Sequence, residues 1–204
     1  TEVLIKTKTV GVCGSDLHLF RGTHPFRHAP AILGHEIAGD VVEIGSKVTN
    51  IKVGDRVTVE PQVGCGECEM CKRGLVSLCS GKKVPGTPEW IGAFSEYFNA
   101  DEKTVYKLAD QTSYEMGTLA EPLAVAVHTV NHAETRTGGL VILGAGTIGQ
   151  LILAVARKRG YSPIIVTDTA AFNREFAVKH GADAALDPVT ENIPEKVKEM
   201  TGGR

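Results

Sequence analysis

Apolar residues in the first part of the chain recur at every second position, the period of strands with one buried face. The segment that contains Val3, Ile5 and Val10 shows this alternation, and so do residues 40–45, 52–60 and 93–109. Glycines and turn-forming residues separate these segments. The pattern predicts a β-rich domain over residues 1–136.

The pattern changes from residue 112 onward. Residues 112–132 read as a helix, opened by a capping box of Thr112 and Glu115. Strands and helices then alternate: strands are predicted at 140–143, 163–168 and 182–187, and helices at 150–160, 173–181 and 194–200. Right-handed crossovers would make the strands parallel, which is the first half of a doubly wound Rossmann sheet. We therefore assign residues 137–204 to a partial dinucleotide-binding domain.

Composition narrows the class of protein. The chain has 204 residues, 42% of them hydrophobic, and a net charge of −2. It is not basic enough to suggest a nucleic-acid partner, and no apolar run reaches the roughly 18 residues of a membrane-spanning helix. We expect a soluble, cytoplasmic protein that binds neither nucleic acid nor membrane.

Four of the five cysteines lie in one lobe, residues 64–80, with the spacing CxxCxxC followed by seven residues and a further cysteine. They are Cys65, Cys68, Cys71 and Cys79. The spacing suits one tetrahedral zinc ion better than two disulfides, and Gly64, Gly66 and Gly74 supply backbone freedom. Four thiolates leave no position for substrate, so we predict a structural ion.

The fifth cysteine, Cys13, lies in the stretch VGVCGSDLHLF, and the stretch ILGHEIAG brings His35 and Glu36. A thiolate, an imidazole and a carboxylate from distant segments, with one open position, form the ligand set of a catalytic zinc. The alternative for Cys13 is a small buried apolar residue.

The segment GAGTIG follows a short apolar strand and precedes a helix, which is the setting of a dinucleotide-binding loop. Its residues are Gly144, Gly146, Thr147, Ile148 and Gly149. Asp168, at the end of the next strand, would bind the adenosine ribose and disfavour a 2′-phosphate, so NAD is predicted over NADP. Arg174 could approach a phosphate, or it could lie on a solvated helix face.

Several motifs occur together in an order that resembles one family. They are CGSDLH, GHEIAGDVVEIGSKVTNIKVGDRV, the four-cysteine lobe, GAFSEY, AEPLAVAVHTV and LVILGAGTIGQLILAVARKRG. In this order they resemble the zinc-dependent medium-chain alcohol dehydrogenases, in particular the polyol branch that is similar to sorbitol dehydrogenase. The resemblance implies a GroES-like catalytic domain ahead of the Rossmann half. It also implies a parent protein that extends beyond this chain at both ends and forms dimers or tetramers, so that the fragment alone would be inactive.

The resemblance also assigns the catalytic zinc. It matches Cys13 and His35 to zinc ligands, with Glu36 as a direct ligand in relatives resembling sorbitol dehydrogenase. Glu121 stands where liver-type enzymes have a third cysteine, so the choice between Glu36 and Glu121 stays open. Because Pro122 suits the first helical position, we expect Glu121 to cap its helix.

Three residues beside Cys13 would then support the reaction. Asp16 is expected to accept the free ring N–H of His35, Ser15 to take the proton of the substrate alcohol, and His18 to pass it toward water. The alternatives are a turn-forming hydroxyl for Ser15 and a surface histidine for His18. His128, in an apolar helical run, is expected to pack in the core.

The main hypothesis is therefore an oxidoreductase with two zinc ions, one catalytic and one structural, that transfers hydride from a secondary alcohol or polyol to NAD. An NADP-linked carbonyl reductase of the same family is the nearer alternative. A zinc knuckle that only binds a protein or nucleic acid is the more distant one. The sequence leaves the substrate open, since Trp90 and Phe94 could line a pocket or fill the space under a loop.

Overall fold

The structure is a computed structural model that describes residues 1–135 and 138–203. It contains two compact units, Thr1–Glu121 and Pro122–Arg204. The domain boundary expected between residues 136 and 137 falls on residues outside those described and stays a prediction. In the described part of the chain, no helix has the length and apolar character needed to cross a membrane.

The first unit is built on a five-stranded antiparallel sheet. The strands are β1 (Glu2–Gly11), β2 (Glu36–Ile44), β3 (Arg56–Val59), β4 (Tyr97–Asp101) and β5 (Val105–Lys107), in the order β4-β1-β2-β3-β5. The helices are α1 (Gly14–Phe20), α2 (Glu69–Lys72), α3 (Tyr114–Thr118) and the start of α4 (Ala120–Asn131), and single 3-10 turns lie at Val76–Leu78 and Glu102–Thr104. The predicted β-rich fold is confirmed.

The alternation along β1 has the expected effect: Val3 and Ile5 are completely buried, and Lys6, the next residue after Ile5, is exposed. Phe98 and Trp90 stack in the same core with ring centroids 5.5 Å apart, and the Trp90 indole donates to the Asn99 carbonyl. Trp90 therefore belongs to the hydrophobic core.

Phe98→Ala should reduce the free energy of unfolding of the first unit by about 3 to 5 kcal/mol, because it deletes a buried aromatic ring and leaves a cavity. Phe98 is only 1% exposed. Urea unfolding followed by circular dichroism measures the change. Tyr97→Ala, at a half-exposed neighbouring position on β4, is the control and should cost much less.

Two details of the helix starts differ from expectation. The capping residue of α3 is Ser113, whose Oγ accepts the Met116 N–H at 3.2 Å, because Thr112 is held in the preceding turn by its own N–H bond to Ala109. Helix α4 begins at Ala120, directly after Leu119, which is the C-terminal cap of α3. Glu121 therefore lies inside the first turn of α4 rather than at its N-terminal cap. Pro122 is tolerated there because the first N–H groups of a helix have no intrahelical acceptor.

The second unit contains a three-stranded parallel sheet with the order β6-β7-β8. Its strands are β6 (Gly138–Leu143), β7 (Tyr161–Thr167) and β8 (Ala184–Leu186), and its helices beyond α4 are α5 (Thr147–Lys158), α6 (Ala171–Lys179) and α7 (Ile193–Thr201). The alternation of parallel strands and helices is the predicted first half of a Rossmann domain.

Asp183 joins β7 to the loop before β8. Its carboxylate accepts the Ile164 N–H at 2.6 Å and the Arg157 guanidinium at 2.8 Å. The hydrogen bond from Ile164, and then the one from Arg157, lowers the pKa of Asp183. A pKa that is lower in the folded state contributes stability above the unfolded value of about 3.9, and that stability is lost as pH falls through the folded pKa.

Asp183→Asn should therefore make the stability of the second unit less dependent on pH between about 5 and 2. Hydrogen exchange of the β7 amides, measured across this range, follows the stability. The wild type should lose more protection than the variant as pH falls. Equal losses in the two proteins would show that the Asp183 carboxylate does not contribute.

Candidate metal centres and dinucleotide loop

The four lobe cysteines converge on one point. Each offers a sulfur, and the four sulfur atoms lie within 4.8 Å of one another with no disulfide among them. Cys65 Sγ and Cys71 Sγ are 4.0 Å apart, whereas a disulfide requires about 2.05 Å. Ligands at about 2.3 Å from a tetrahedral zinc lie roughly 3.8 Å apart, so the arrangement fits this ion.

Backbone N–H groups in the lobe point at these sulfur atoms. Cys65, Cys68 and Cys71 each donate an N–H to a neighbouring sulfur at 3.4 Å. Hydrogen bonds from the backbone of Glu67 and Cys68 lower the pKa of Cys65 to about 6. Such donors stabilise thiolates, the form that binds metal.

Glycines make the lobe possible for two reasons. Gly66 and Gly74 have positive φ angles of 80° and 75°, which other residues rarely adopt. Gly64 is needed for space, because a Cβ atom there would lie 2.7 Å from Cys71 Sγ.

The second cluster consists of Cys13, His35 and Glu36, each with one ligand atom within 4.8 Å of the others. Cys13 follows β1 and precedes α1, and His35 and Glu36 stand at the start of β2. The antiparallel pairing of β1 with β2 brings these segments together, with Gly11 opposite Glu36. This donor set fits a zinc ion that keeps one position open.

The electrostatics of the cluster favour a thiolate. The hydrogen bond with His35 is the main cause that lowers the pKa of Cys13, and bonds from the Ser15 side chain and backbone lower it further. The Asp16 carboxylate, followed by the Cys13 sulfur, raises the pKa of His35 to about 10. The site therefore stabilises a cation beside the sulfur.

Asp16 connects the two segments of the site. This carboxylate is 4% exposed and accepts the N–H of Cys13 at 3.0 Å and of Gly34 at 3.3 Å. Its Oδ1 is 3.6 Å from His35 Nδ1, a buried atom that has no hydrogen-bond partner in the described residues. Because Nδ1 faces Asp16, Nε2 is the ring atom free to bind an ion.

The other predicted site residues are placed as follows. Ser15 is half-buried beside Cys13, and His18 is exposed, with Nδ1 3.2 Å from Thr23 Oγ1. Glu121 is outside the three-residue cluster, although its charge raises the pKa of Glu36 after the larger effect of burial. Burial also raises the pKa of Glu121. Among the described residues, Glu36 is therefore the carboxylate that forms a cluster of possible metal ligands with Cys13 and His35.

The dinucleotide loop is anchored to the end of β7. Asp168 accepts the N–H of Ala145 and of Ala170, both at 2.8 Å, and the Asn173 amide at 3.2 Å. The bond from Ala170, followed by that from Ala145, lowers the pKa of Asp168. The carboxylate is thus held as an anion beside the loop.

The loop requires glycine at two positions, one for its backbone angle and one for space. Gly144 has a φ of 97°, and Gly146 precedes α5, which begins with Thr147 and Ile148. A Cβ at Gly149 would overlap the Gly144 carbonyl, so this glycine allows the helix to pack closely on the loop.

Two expectations for side chains of this unit are wrong. Arg174 does not lie on a solvated face: Nη1 donates to the carbonyls of Asp168 and Thr169, and Nη2 pairs with Asp187 at 3.3 Å. His128 is exposed, since the buried stripe of α4 consists of Pro122, Ala126 and Val130 on another face. The buried residues are four positions apart, as on one face of a helix, but because the neighbouring residues are apolar too, the sequence does not show which face is buried.

Comparisons with known proteins agree with these features. The family described as alcohol dehydrogenase GroES-like domain matches residues 1–110. Sorbitol dehydrogenase of Bacillus subtilis is 39% identical over 207 residues, covering 100% of this chain and 59% of the relative. L-threonine 3-dehydrogenase of Pyrococcus horikoshii is 39% identical over 205 residues, covering 99% of this chain and 59% of the relative.

The fold is similar to that of a solved structure. The crystal structure of 2R,3R-butanediol dehydrogenase from Bacillus subtilis matches with a TM-score of 0.89 and 34% identity, covering 98% of this chain and 60% of that one. The chain thus spans about three fifths of the length of the relatives it matches. With its GroES-like unit, its clustered cysteines and the opening half of a Rossmann sheet, the chain belongs to the family of zinc-dependent medium-chain alcohol and polyol dehydrogenases.

Proposed function

We propose that the protein forms part of a dehydrogenase that transfers hydride from a secondary alcohol or polyol to NAD and yields a ketone or aldehyde. The observation that carries the proposal is the convergence of Cys13, His35 and Glu36 on one point, separate from the four-cysteine cluster. Two clusters with different donors provide for two zinc ions with different roles. The sulfur cluster holds a structural ion, and the mixed cluster holds the catalytic one.

The mixed donor set is suited to the chemistry. When bound, a zinc ion with an open position lowers the pKa of an alcohol, as it does that of bound water. Asp16 fixes the orientation of His35, and its backbone bonds to Cys13 and Gly34 keep the two ligand segments in register. Glu36, rather than Glu121, completes the set.

The proton of the substrate hydroxyl leaves through residues next to Cys13. Ser15 takes it, because this hydroxyl lies beside the sulfur, and the exposed His18 passes it to water. An imidazole suits this transfer because one ring nitrogen can accept a proton while the other donates one. A nicotinamide cofactor, when bound, would supply the hydride acceptor.

The cofactor preference follows from Asp168 and Arg174. An anionic carboxylate at the end of β7 accepts hydrogen bonds from a ribose and repels a 2′-phosphate. Arg174 is held by the carbonyls of Asp168 and Thr169 and by Asp187, so its charge is already engaged. These contacts support NAD over NADP.

Further parts of the proposal concern the whole protein. We expect a small alcohol or polyol as substrate, a homodimer or homotetramer, and a cytoplasmic location. The family resemblance supports the oligomer, and size-exclusion chromatography with light scattering measures it.

The full-length protein tests the proposed function directly. Metal analysis should give two zinc ions per chain, and a panel of sugar alcohols, threonine and simple secondary alcohols should include one that produces reduced nicotinamide from NAD. One zinc per chain and no turnover would support the zinc-knuckle alternative instead. A preference for NADP would point to the reductase alternative.

A further inference from the structure

We infer that Gly11 is a positioning residue for the catalytic metal: the absence of a side chain there makes room for the Glu36 carboxylate. This inference rests on the proposed function, because it concerns the ion held by Cys13, His35 and Glu36. Gly11, the last residue of β1, lies directly opposite Glu36, the first residue of β2.

Residues directly opposite in an antiparallel pair project their side chains from the same face, with Cβ atoms about 4.5 to 5.5 Å apart. Here one member of the pair has no side chain, and Glu36 fills the space. A Cβ atom built at Gly11 would overlap Glu36 Oε2 and would lie 3.0 Å from its Cβ and 3.1 Å from its Cδ. The whole glutamate side chain therefore lies across Gly11.

The backbone gives no separate reason for glycine at this position. Gly11 is not among the glycines with positive φ, so an alanine could adopt its conformation. Space for Glu36 is what the missing side chain provides. Gly14, on the other side of Cys13, differs in this respect, because a Cβ there would meet nothing within 4 Å.

The Glu36 carboxylate has no hydrogen bond or ion pair in the described residues 1–135 and 138–203, and besides packing only the charge of His35 favours its position. The residue is only 9% exposed, so close packing, in which Gly11 takes part, holds the side chain in place. Moving Oε2 away from Gly11 would therefore move a ligand atom that lies within 4.8 Å of those of Cys13 and His35. No compensating contact would hold the carboxylate in place.

The experiment is a double-mutant cycle on metal affinity in the full-length protein, with Gly11→Ala, Glu36→Ala, the double variant, and Gly14→Ala as the matched control. Co²⁺ or Zn²⁺ affinity is measured by competition with a chelator, and the Co²⁺ absorption spectrum reports the ligand geometry. The ion of the four-cysteine cluster serves as an internal reference in every sample.

We expect Gly11→Ala to weaken the ion of the mixed cluster by roughly 10- to 100-fold, as removal of ligand support commonly does. The four-cysteine ion should stay bound. In the Glu36→Ala background, Gly11→Ala should have no further effect, because there is no carboxylate to displace. Gly14→Ala should bind metal like the wild type.

An unchanged affinity in Gly11→Ala, or an equal loss with and without Glu36, would overturn the inference. If Gly11→Ala is insoluble, recovery of a folded protein in the double variant supports the clash with Glu36, whereas failure of both gives Gly11 a purely structural role and overturns it. A wild-type protein with no ion at Cys13 and His35 would refute the proposed function instead.

Discussion

Replacing His35 with alanine is expected to abolish alcohol-dependent reduction of NAD and to leave one zinc ion per chain in place of two. The substitution removes the only imidazole of the mixed cluster and leaves Cys13 and Glu36 as a two-residue remnant. Because a metal that polarises oxygen contributes several kcal/mol, and each 1.36 kcal/mol is tenfold in rate, the loss in kcat/KM should be about 10³-fold or more.

Steady-state kinetics and metal analysis on the same preparation measure both effects. His132→Ala is a matched control, since His132 is exposed on the second unit and its ring Nε2 lies 3.1 Å from His128 Nε2. Its activity and its two zinc ions should stay unchanged. Full activity of His35→Ala would show that the reaction does not depend on the mixed cluster.

Replacing Asp168 with serine is expected to raise the Kd for NAD by about 10- to 100-fold, the equivalent of a hydrogen bond to a charged group worth roughly 1.5 to 3 kcal/mol. Two losses combine: the ribose loses its acceptor, and the Ala145 N–H in the glycine loop loses the bond that anchors it to β7. Discrimination against NADP should fall at the same time, because the repulsion of the 2′-phosphate disappears.

Asp168→Asn provides the comparison, since an amide keeps one acceptor for the loop and loses the charge. It should bind NAD better than Asp168→Ser and discriminate against NADP less than the wild type. Fluorescence titration of the wild type and the two variants with NAD and NADP gives the six constants that this comparison needs. An unchanged Kd for NAD in Asp168→Ser would show that the Asp168 carboxylate does not contribute to binding of the cofactor.

Local pattern was sufficient for most of the fold. The period-2 alternation around Val3 and Ile5 marks a strand with one face in the core, and the structure buries both residues completely. The glycine spacing of the dinucleotide loop also indicated a strand before the loop and a helix after it. A tight turn followed by a closely packed helix requires Gly144 and Gly149.

Strand pairing was not accessible in the same way. The register that sets Gly11 opposite Glu36 includes irregularities between Leu4 and Ile5 and between Thr7 and Thr9, and no short-range pattern specifies these. That register brings Glu36 and its chain neighbour His35 beside Cys13, and Glu121 lies outside the cluster of these three residues.

Helix orientation was the other source of error. The apolar run around His128 suggested a buried helix, yet only the stripe of Pro122, Ala126 and Val130 is buried, and His128 lies on the exposed side. For Arg174, the solvated helix face is not what the structure has, and its role at a cofactor phosphate stays a prediction. Its bonds to backbone carbonyls depend on how α6 meets the end of β7, a tertiary contact that sequence spacing does not reveal.

The proposed reaction requires a zinc ion at the mixed cluster, and anomalous scattering from crystals of the zinc-loaded full-length protein tests for this ion most directly. We expect two peaks at the zinc edge: one inside the four-cysteine cluster and one with Cys13 Sγ and a His35 ring nitrogen at about 2.3 and 2.0 to 2.1 Å. A peak at the four cysteines and none between Cys13 and His35 would contradict it.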